Sequence, residues 1–182
     1  MKEIWSFAAL LISLSAAAQY DKEVRSGNDL YAEGKYDEAE ISYRKALDKE
    51  AEDKTAGAFN LGDALYKQGR SDEALAQYQQ ALNGSENKEV QSGAWHNIGN
   101  TYLQKMQQAQ QNPQEAQQSG QYLDKAIDAY KNALRLNPKD NETRYNLAKA
   151  LKEKQQQQNQ DQQNQDNKDK QDQNKDQDQQ NK

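Results

Sequence analysis

The chain has 182 residues, with 24 Lys and Arg against 29 Asp and Glu, one His, no Cys and a formal net charge of −5. Without Cys there is neither a lipobox nor a disulfide, and a histidine-based nucleophile would have to rest on His96 alone. An acidic chain with no basic run also lacks the charge that nucleic-acid binding needs.

Residues 1–18 have the parts of a secretory signal peptide: a basic start at Lys2, a short apolar run over Phe7–Leu14, and Ala16-Ala17-Ala18 at the end. Cleavage is expected after Ala18, leaving Gln19 first. The run is far short of the roughly 20 apolar residues that span a bilayer, so no membrane span is expected once the leader is removed. A soluble, periplasmic mature chain is the resulting expectation.

From about Tyr20 one skeleton recurs three times. It reads Gly27, Tyr36, Ala39, Tyr43, Ala46-Leu47; then Gly62, Ala74, Tyr78, Ala81-Leu82; then Gly99, Tyr102, Ala126, Tyr130, Ala133-Leu134. Ala39 and Ala74 lie 35 residues apart, as do Gly27 and Gly62. This is close to the roughly 34-residue period of helix-turn-helix repeats. Within each copy the apolar and small positions fall into two blocks at helical spacing, so each unit is a helical hairpin and the fold class is all-α. Gly34 and Gly69 sit between blocks, where a left-handed residue ends a helix, and Asp37 or Ser71 is placed to cap the next. Gly and Ala at Gly27, Ala39, Ala46 and their counterparts let helix backbones approach closely. The units span about 20–53, 55–88 and 92–138.

In the third copy the interval from Gly to Ala widens from 12 residues to 27. The fifteen extra residues fall at about Met106–Gly120 and read as a polar surface insertion, expected as a loop or an extended helix end. Residues 141–154 carry one more first-helix pattern, Arg144-Tyr145-Asn146-Leu147-Ala148, which reads as a capping helix over the open end of the array. From Gln155 to Lys182 the chain holds only Gln, Asn, Asp and Lys. Nothing there can offset ordering entropy by burial, so a disordered tail is expected.

The stretches Phe59–Gly69 and Trp95–Tyr102 resemble first helices of the tetratricopeptide repeat (TPR) family. Ala126–Pro138 is similar to the family's second helix with its closing proline. In such proteins the positions facing away from the second helix line a concave surface that takes an extended peptide or partner helix. The resemblance therefore implies a partner-binding groove at Asn28, Tyr31, Phe59, Asp63, Tyr66, Lys67, His96, Asn100, Tyr145 and Lys149. Asn60, Asn97 and Asn146 recur one position beyond that face and read as ties between helices.

No glycine-rich phosphate loop, His-Glu-x-x-His or Asp-rich calcium loop is present, so neither an enzyme nor a metal or cofactor site is expected. The order of leader, short array and Gln/Asn/Asp/Lys tail, with the stretches 131–140 and 142–152, resembles the TPR proteins of bacterial Bat (aerotolerance) operons. That resemblance implies a periplasmic scaffold acting with von Willebrand A-type membrane proteins. A self-assembling oligomer and a chaperone-like adaptor for extended peptides are the alternatives.

Overall fold

The computed structural model describes the backbone of residues 2–49, 51 and 53–180, and, within that range, the side chains of 17–160, 162, 163 and 165. Apart from Ala17 and Ala18, the side chains of the expected leader lie outside the described residues.

Among the described residues seven α-helices follow in order: α1 (Lys2–Ala32), α2 (Tyr36–Leu47), α3 (Thr55–Lys67), α4 (Ser71–Gly84), α5 (Lys88–Gln111), α6 (Ser119–Leu136) and α7 (Asn141–Gln180). α1 pairs with α2, α3 with α4 and α5 with α6, and each hairpin stacks on the next. Among these helices α1, α3 and α5 also touch from hairpin to hairpin, so they form the inner layer of the solenoid.

The first two hairpins turn in the same way. Gly34 and Gly69 both have φ of 77°. Around them Lys35 N–H reaches Leu30 C=O and Arg70 N–H reaches Leu65 C=O, at 2.9 and 3.0 Å. These are the six-to-one bonds of a Schellman motif, which satisfies carbonyls left orphaned at a helix end. Neither Asp37 nor Ser71 caps the next helix as expected. α2 starts two residues earlier, after Lys35, and α4 one residue earlier, after Arg70, both without a side-chain cap. Ser71 lies inside α4, and its hydroxyl donates to Gln104 Oε1 across the repeat boundary. With the turn already closed by backbone bonds, the hydroxyl is free to join neighbouring hairpins. α5 does carry a side-chain cap, from Asn87 to the N–H groups of Glu89 and Val90.

The core is built from alanines and tyrosines. Ala39, Ala46, Ala58, Ala64, Ala74, Ala81, Ala126 and Ala133 are fully buried, and so are Tyr43, Tyr78 and Tyr130 within 1%. Each tyrosine ring lies over a glycine of the facing helix. A Cβ on Gly62 would sit 2.7 Å from Tyr78 Cε1, and one on Gly99 would sit 2.5 Å from Tyr130 Cε1. Gly27 meets Tyr43 in the same way. The glycine absorbs a ring where two helices approach, which is why the Gly and Tyr positions repeat together.

Two further contacts join neighbouring hairpins. Tyr20 is buried, and its hydroxyl oxygen accepts the N–H of Gly57 at 2.7 Å. That N–H lies in the first turn of α3 and has no partner within its own helix. Tyr20→Phe is expected to lower unfolding free energy by about 1–2 kcal/mol, read by urea denaturation, because it leaves a buried donor unmatched. On the outer side Glu40 accepts from Arg44, Gln68 and Arg70, and Arg70 also pairs with Glu73. Burial alone would raise the Glu40 pKa, but these donors and cations outweigh it and hold it low. Glu40 thus stabilises the fold above the usual carboxylate range, and that contribution fades as pH falls through its lowered value. Arg70→Ala is expected to cost about 1 kcal/mol near neutral pH and less near pH 4, in paired thermal melts.

The insertion is only partly a loop. α5 runs on to Gln111 and α6 begins at Ser119, leaving an irregular stretch with one 3-10 turn at Ala116–Gln118. Met106 and Ala109 are buried, and Met106 packs with Leu123, Ile127 and Ala150. The extra residues lengthen the hairpin because Met106 and Ala109 continue the apolar stripe of α5 into a second small core. The expected capping segment forms the first part of α7, where Asp140 accepts the Thr143 N–H at 3.0 Å and Ala150 is buried. The backbone of α7 stays helical to Gln180. The described side chains beyond Lys154 are exposed except Gln157, which is half-buried. From Gln155 on the sequence offers no apolar residue to bury, so a helix of this composition draws no support from an amphipathic face.

Candidate functional site: the inner groove

A three-rung polar ladder runs along the inner layer. At the first rung Asn28 Oδ1 accepts the Tyr43 hydroxyl at 2.9 Å and Asn60 Nδ2 at 2.8 Å. At the second, Asp63 Oδ1 accepts the Tyr78 hydroxyl at 2.6 Å and Asn97 Nδ2 at 2.8 Å. At the third, Asn100 Oδ1 accepts the Tyr130 hydroxyl at 2.7 Å and Asn146 Nδ2 at 3.2 Å. Each rung ties an inner helix to its own outer helix through the tyrosine and to the next inner helix through the asparagine. Burial pushes the phenol pKa values of Tyr43, Tyr78 and Tyr130 upward, so all three remain neutral donors.

The middle rung differs because its acceptor is a carboxylate. Burial pushes the Asp63 carboxyl up to about 6, against the opposing pull of the Tyr78 hydrogen bond, the Lys67 charge and the Asn97 hydrogen bond. A buried carboxylate is costly to ionise, and the two donors compensate only in part.

Two cavities open on this ladder. One, of 310 Å³, is lined by Tyr31, Asp63, Tyr66, Lys67, His96 and Asn100, together with Tyr78, Asn97 and Glu142. Its neighbour, of 290 Å³, joins Asn28 and Tyr31 to Asp63. Tyr31 and Tyr66 are half-buried, and burial raises both phenol pKa values, that of Tyr31 to about 12. His96 is held from above: its Nδ1 lies 2.6 Å from Thr143 Oγ1. Thr143 gives its own proton to Asp140 Oδ2 at 2.5 Å. The ring nitrogen is therefore the donor to Thr143, and Nε2 faces Glu142 at 3.7 Å.

Seven of the ten residues expected in the groove, Asn28, Tyr31, Asp63, Tyr66, Lys67, His96 and Asn100, line these two cavities. Phe59 does not join them. It lies in an adjoining 390 Å³ cavity with Ala56, Val90 and Gly93, its ring edge-on to Tyr78 at 5.8 Å. Tyr145 and Lys149 line none of the three; Tyr145 is 70% exposed and Lys149 is exposed. α7 instead turns Thr143, Asn146 and Ala150 towards the array, and Glu142 is its contribution to the groove. Asn60, Asn97 and Asn146 tie helix to helix as expected from their register. The shared acceptor was not anticipated, although one signal was available: the tyrosine follows its acceptor by 15, 15 and 30 residues, the last interval stretched by the insertion.

A stack of helical hairpins with an inner polar groove and small-residue contacts has the architecture of an interaction scaffold. Tetratricopeptide repeat models match residues 24–89 and 118–155, and the chain belongs to the tetratricopeptide repeat family. No curated protein matches it significantly in sequence. Solved structures share the fold at low identity. The first TPR of Spaghetti (RPAP3) bound to HSP90 peptide SRMEEVD is 20% identical, with a TM-score of 0.61 over 75% of this chain and 93% of that one. The second TPR domain of human RPAP3, in complex with HSP70 peptide SGPTIEEVD, is 19% identical, with a TM-score of 0.58 over 76% and 98%. The TPR2AB domain of yeast Sti1, in a complex with pHSP90, is 24% identical, with a TM-score of 0.61 over 78% and 49%.

Proposed function

We propose that this chain is a non-catalytic scaffold that takes an extended segment of a partner protein in its inner groove. The observation that carries the reading is the ladder. It fixes Asn28, Asp63 and Asn100 in line and leaves Tyr31, Tyr66 and Lys67 converging on one cavity. A prearranged polar face with half-buried aromatics provides anchors and backbone hydrogen-bonding groups at low ordering cost. Structural neighbours with peptides bound support the mode of binding through their shared fold.

The leader-like start supports a periplasmic location for the mature chain. The arrangement of leader, array and tail resembles BatC of the Bat aerotolerance operons. On that resemblance the partner is a von Willebrand A-type membrane protein, and the setting is a membrane-associated stress-tolerance complex.

The test is a crosslinked pull-down from the envelope fraction with mature protein from Gln19, beside a Tyr66→Ala variant with an unchanged helical melt. Capture of one membrane protein by the first and its loss with the second supports the scaffold reading. Capture of many unrelated chains points to a chaperone-like adaptor, and recovery of the chain itself to self-assembly. Equal capture by both proteins rules the groove out.

A further inference from the structure

The ladder needs an oxygen acceptor at each rung, and an asparagine supplies it at the first and third. At the middle rung Asp63 uses Oδ1 for both ladder bonds, as Asn28 and Asn100 do. Its other oxygen, Oδ2, receives no hydrogen bond and no ion pair among the described residues. Where the asparagines carry an N–H₂ donor, the middle rung carries an anionic acceptor, so the polarity of the groove reverses at its centre. Lys67, one helical turn away on α3, lines the same cavity but lies beyond ion-pair distance of this carboxylate.

The charges around the central groove cavity and the adjoining one agree with that reversal. Asp53 and Glu89 line the cavity beside Phe59, and Asp63 and Glu142 line the central one, against the single cation Lys67. Phe59 and Asp63 are four residues apart on one helix, about 6 Å along its axis. Alternate side chains of an extended strand fall on one side at about 6.8 Å.

We infer that the groove selects a partner segment with a Lys or Arg, whose cationic head pairs with Asp63 Oδ2, and an apolar side chain two positions away, seated among Phe59, Ala56 and Val90. This rests on the peptide-binding reading above and gives it a chemistry. The selection is opposite in sign to the acidic peptides carried by the RPAP3 structures. Keeping a carboxylate where an amide would serve the ladder costs stability, which is the pattern of a binding residue. Burial holds that carboxyl near 6, so binding of a cation is expected to weaken below that pH. The other titratable or charged groups facing it are Tyr31 from α1, Tyr43 from α2, Tyr66 and Lys67 from α3 itself, Tyr78 from α4, His96 from α5 and Glu142 from α7.

The test is selection from a random nonapeptide phage library by mature protein from Gln19 and by its Asp63→Asn variant. Asparagine occupies this position in the other two rungs, and circular dichroism checks the variant's helical content. Enriched peptides from the native chain should carry Lys or Arg two positions from an apolar residue. A chosen hit should bind at least tenfold more weakly to Asp63→Asn, and at pH 5 than at pH 7.5 to the native chain. The variant should show no such pH response. Hits that are acidic, or that bind both proteins alike, overturn the inference while leaving the peptide-binding reading intact. No enrichment by either protein overturns both.

Discussion

Gly62→Ala is expected to destabilise the protein by roughly 1–3 kcal/mol, although an alanine inside a helix ordinarily adds up to about 1 kcal/mol over glycine. The reversal comes from the ring of Tyr78, whose Cε1 would lie 2.7 Å and Cδ1 2.8 Å from the new methyl group. The ring cannot swing aside without giving up the hydroxyl bond to Asp63 and the edge contact with Phe59. Either the hairpin opens or the middle rung breaks. Urea denaturation gives the stability change, and the same substitution at Gly120, where nothing lies within 4 Å of the new Cβ, is the control that should not destabilise. Equal effects at the two positions would contradict the ring-over-glycine account. Gly99→Ala should destabilise at least as much as Gly62→Ala does, because Tyr130 lies closer still.

The second large effect is a pH dependence owed to one residue. The folded-state pKa of Asp63 is raised to about 6 from its ordinary 3.8, so the native chain holds that proton more tightly than the unfolded chain. Its contribution to stability is therefore full below the unfolded value and is lost as pH rises through about 6. Between pH 4.5 and 7.5 the native chain should lose roughly 2 kcal/mol relative to Asp63→Asn, which cannot ionise there. At pH 7.5 the asparagine variant should be the more stable of the two, since its amide oxygen still accepts from Tyr78 and Asn97. Paired denaturation curves at several pH values measure this difference directly. Carboxylates with lowered pKa, such as Glu40 and Asp140, are common to both proteins and cancel from the comparison. A flat difference across this range would mean that Asp63 is ionised at little cost.

The hairpin array was legible because its signals are local. Gly34 and Gly69 mark turns by their left-handed backbone, and Gly27, Gly62 and Gly99 recur with a tyrosine at matched intervals. Much of the inner groove was legible for the same reason. Once the helices are in register, the residue after each of these glycines is placed on the inner face. Tyr145 and Lys149 fall outside that rule because α7 carries no such glycine and, among the described residues, no helix follows it to pair with. Its facing direction is set by Thr143, Asn146 and Ala150 packing on the last hairpin, not by the repeat. Phe59 stands on the expected face, but the ring leans towards Tyr78 and Gly93 and opens a cavity of its own.

By itself the sequence determined an all-helical array of three hairpins, the glycine turns of the first two, the small-residue contacts and the polar tail, all of which follow from short-range periodicity and backbone preference. Only the tertiary structure decided three matters: that the fifteen inserted residues mostly lengthen two helices, that Asn and Tyr from different repeats share one acceptor oxygen, and that this acceptor is a half-enclosed carboxylate at the middle rung. Each depends on side chains brought together from 15 to 46 residues apart, a distance over which helical periodicity carries no information.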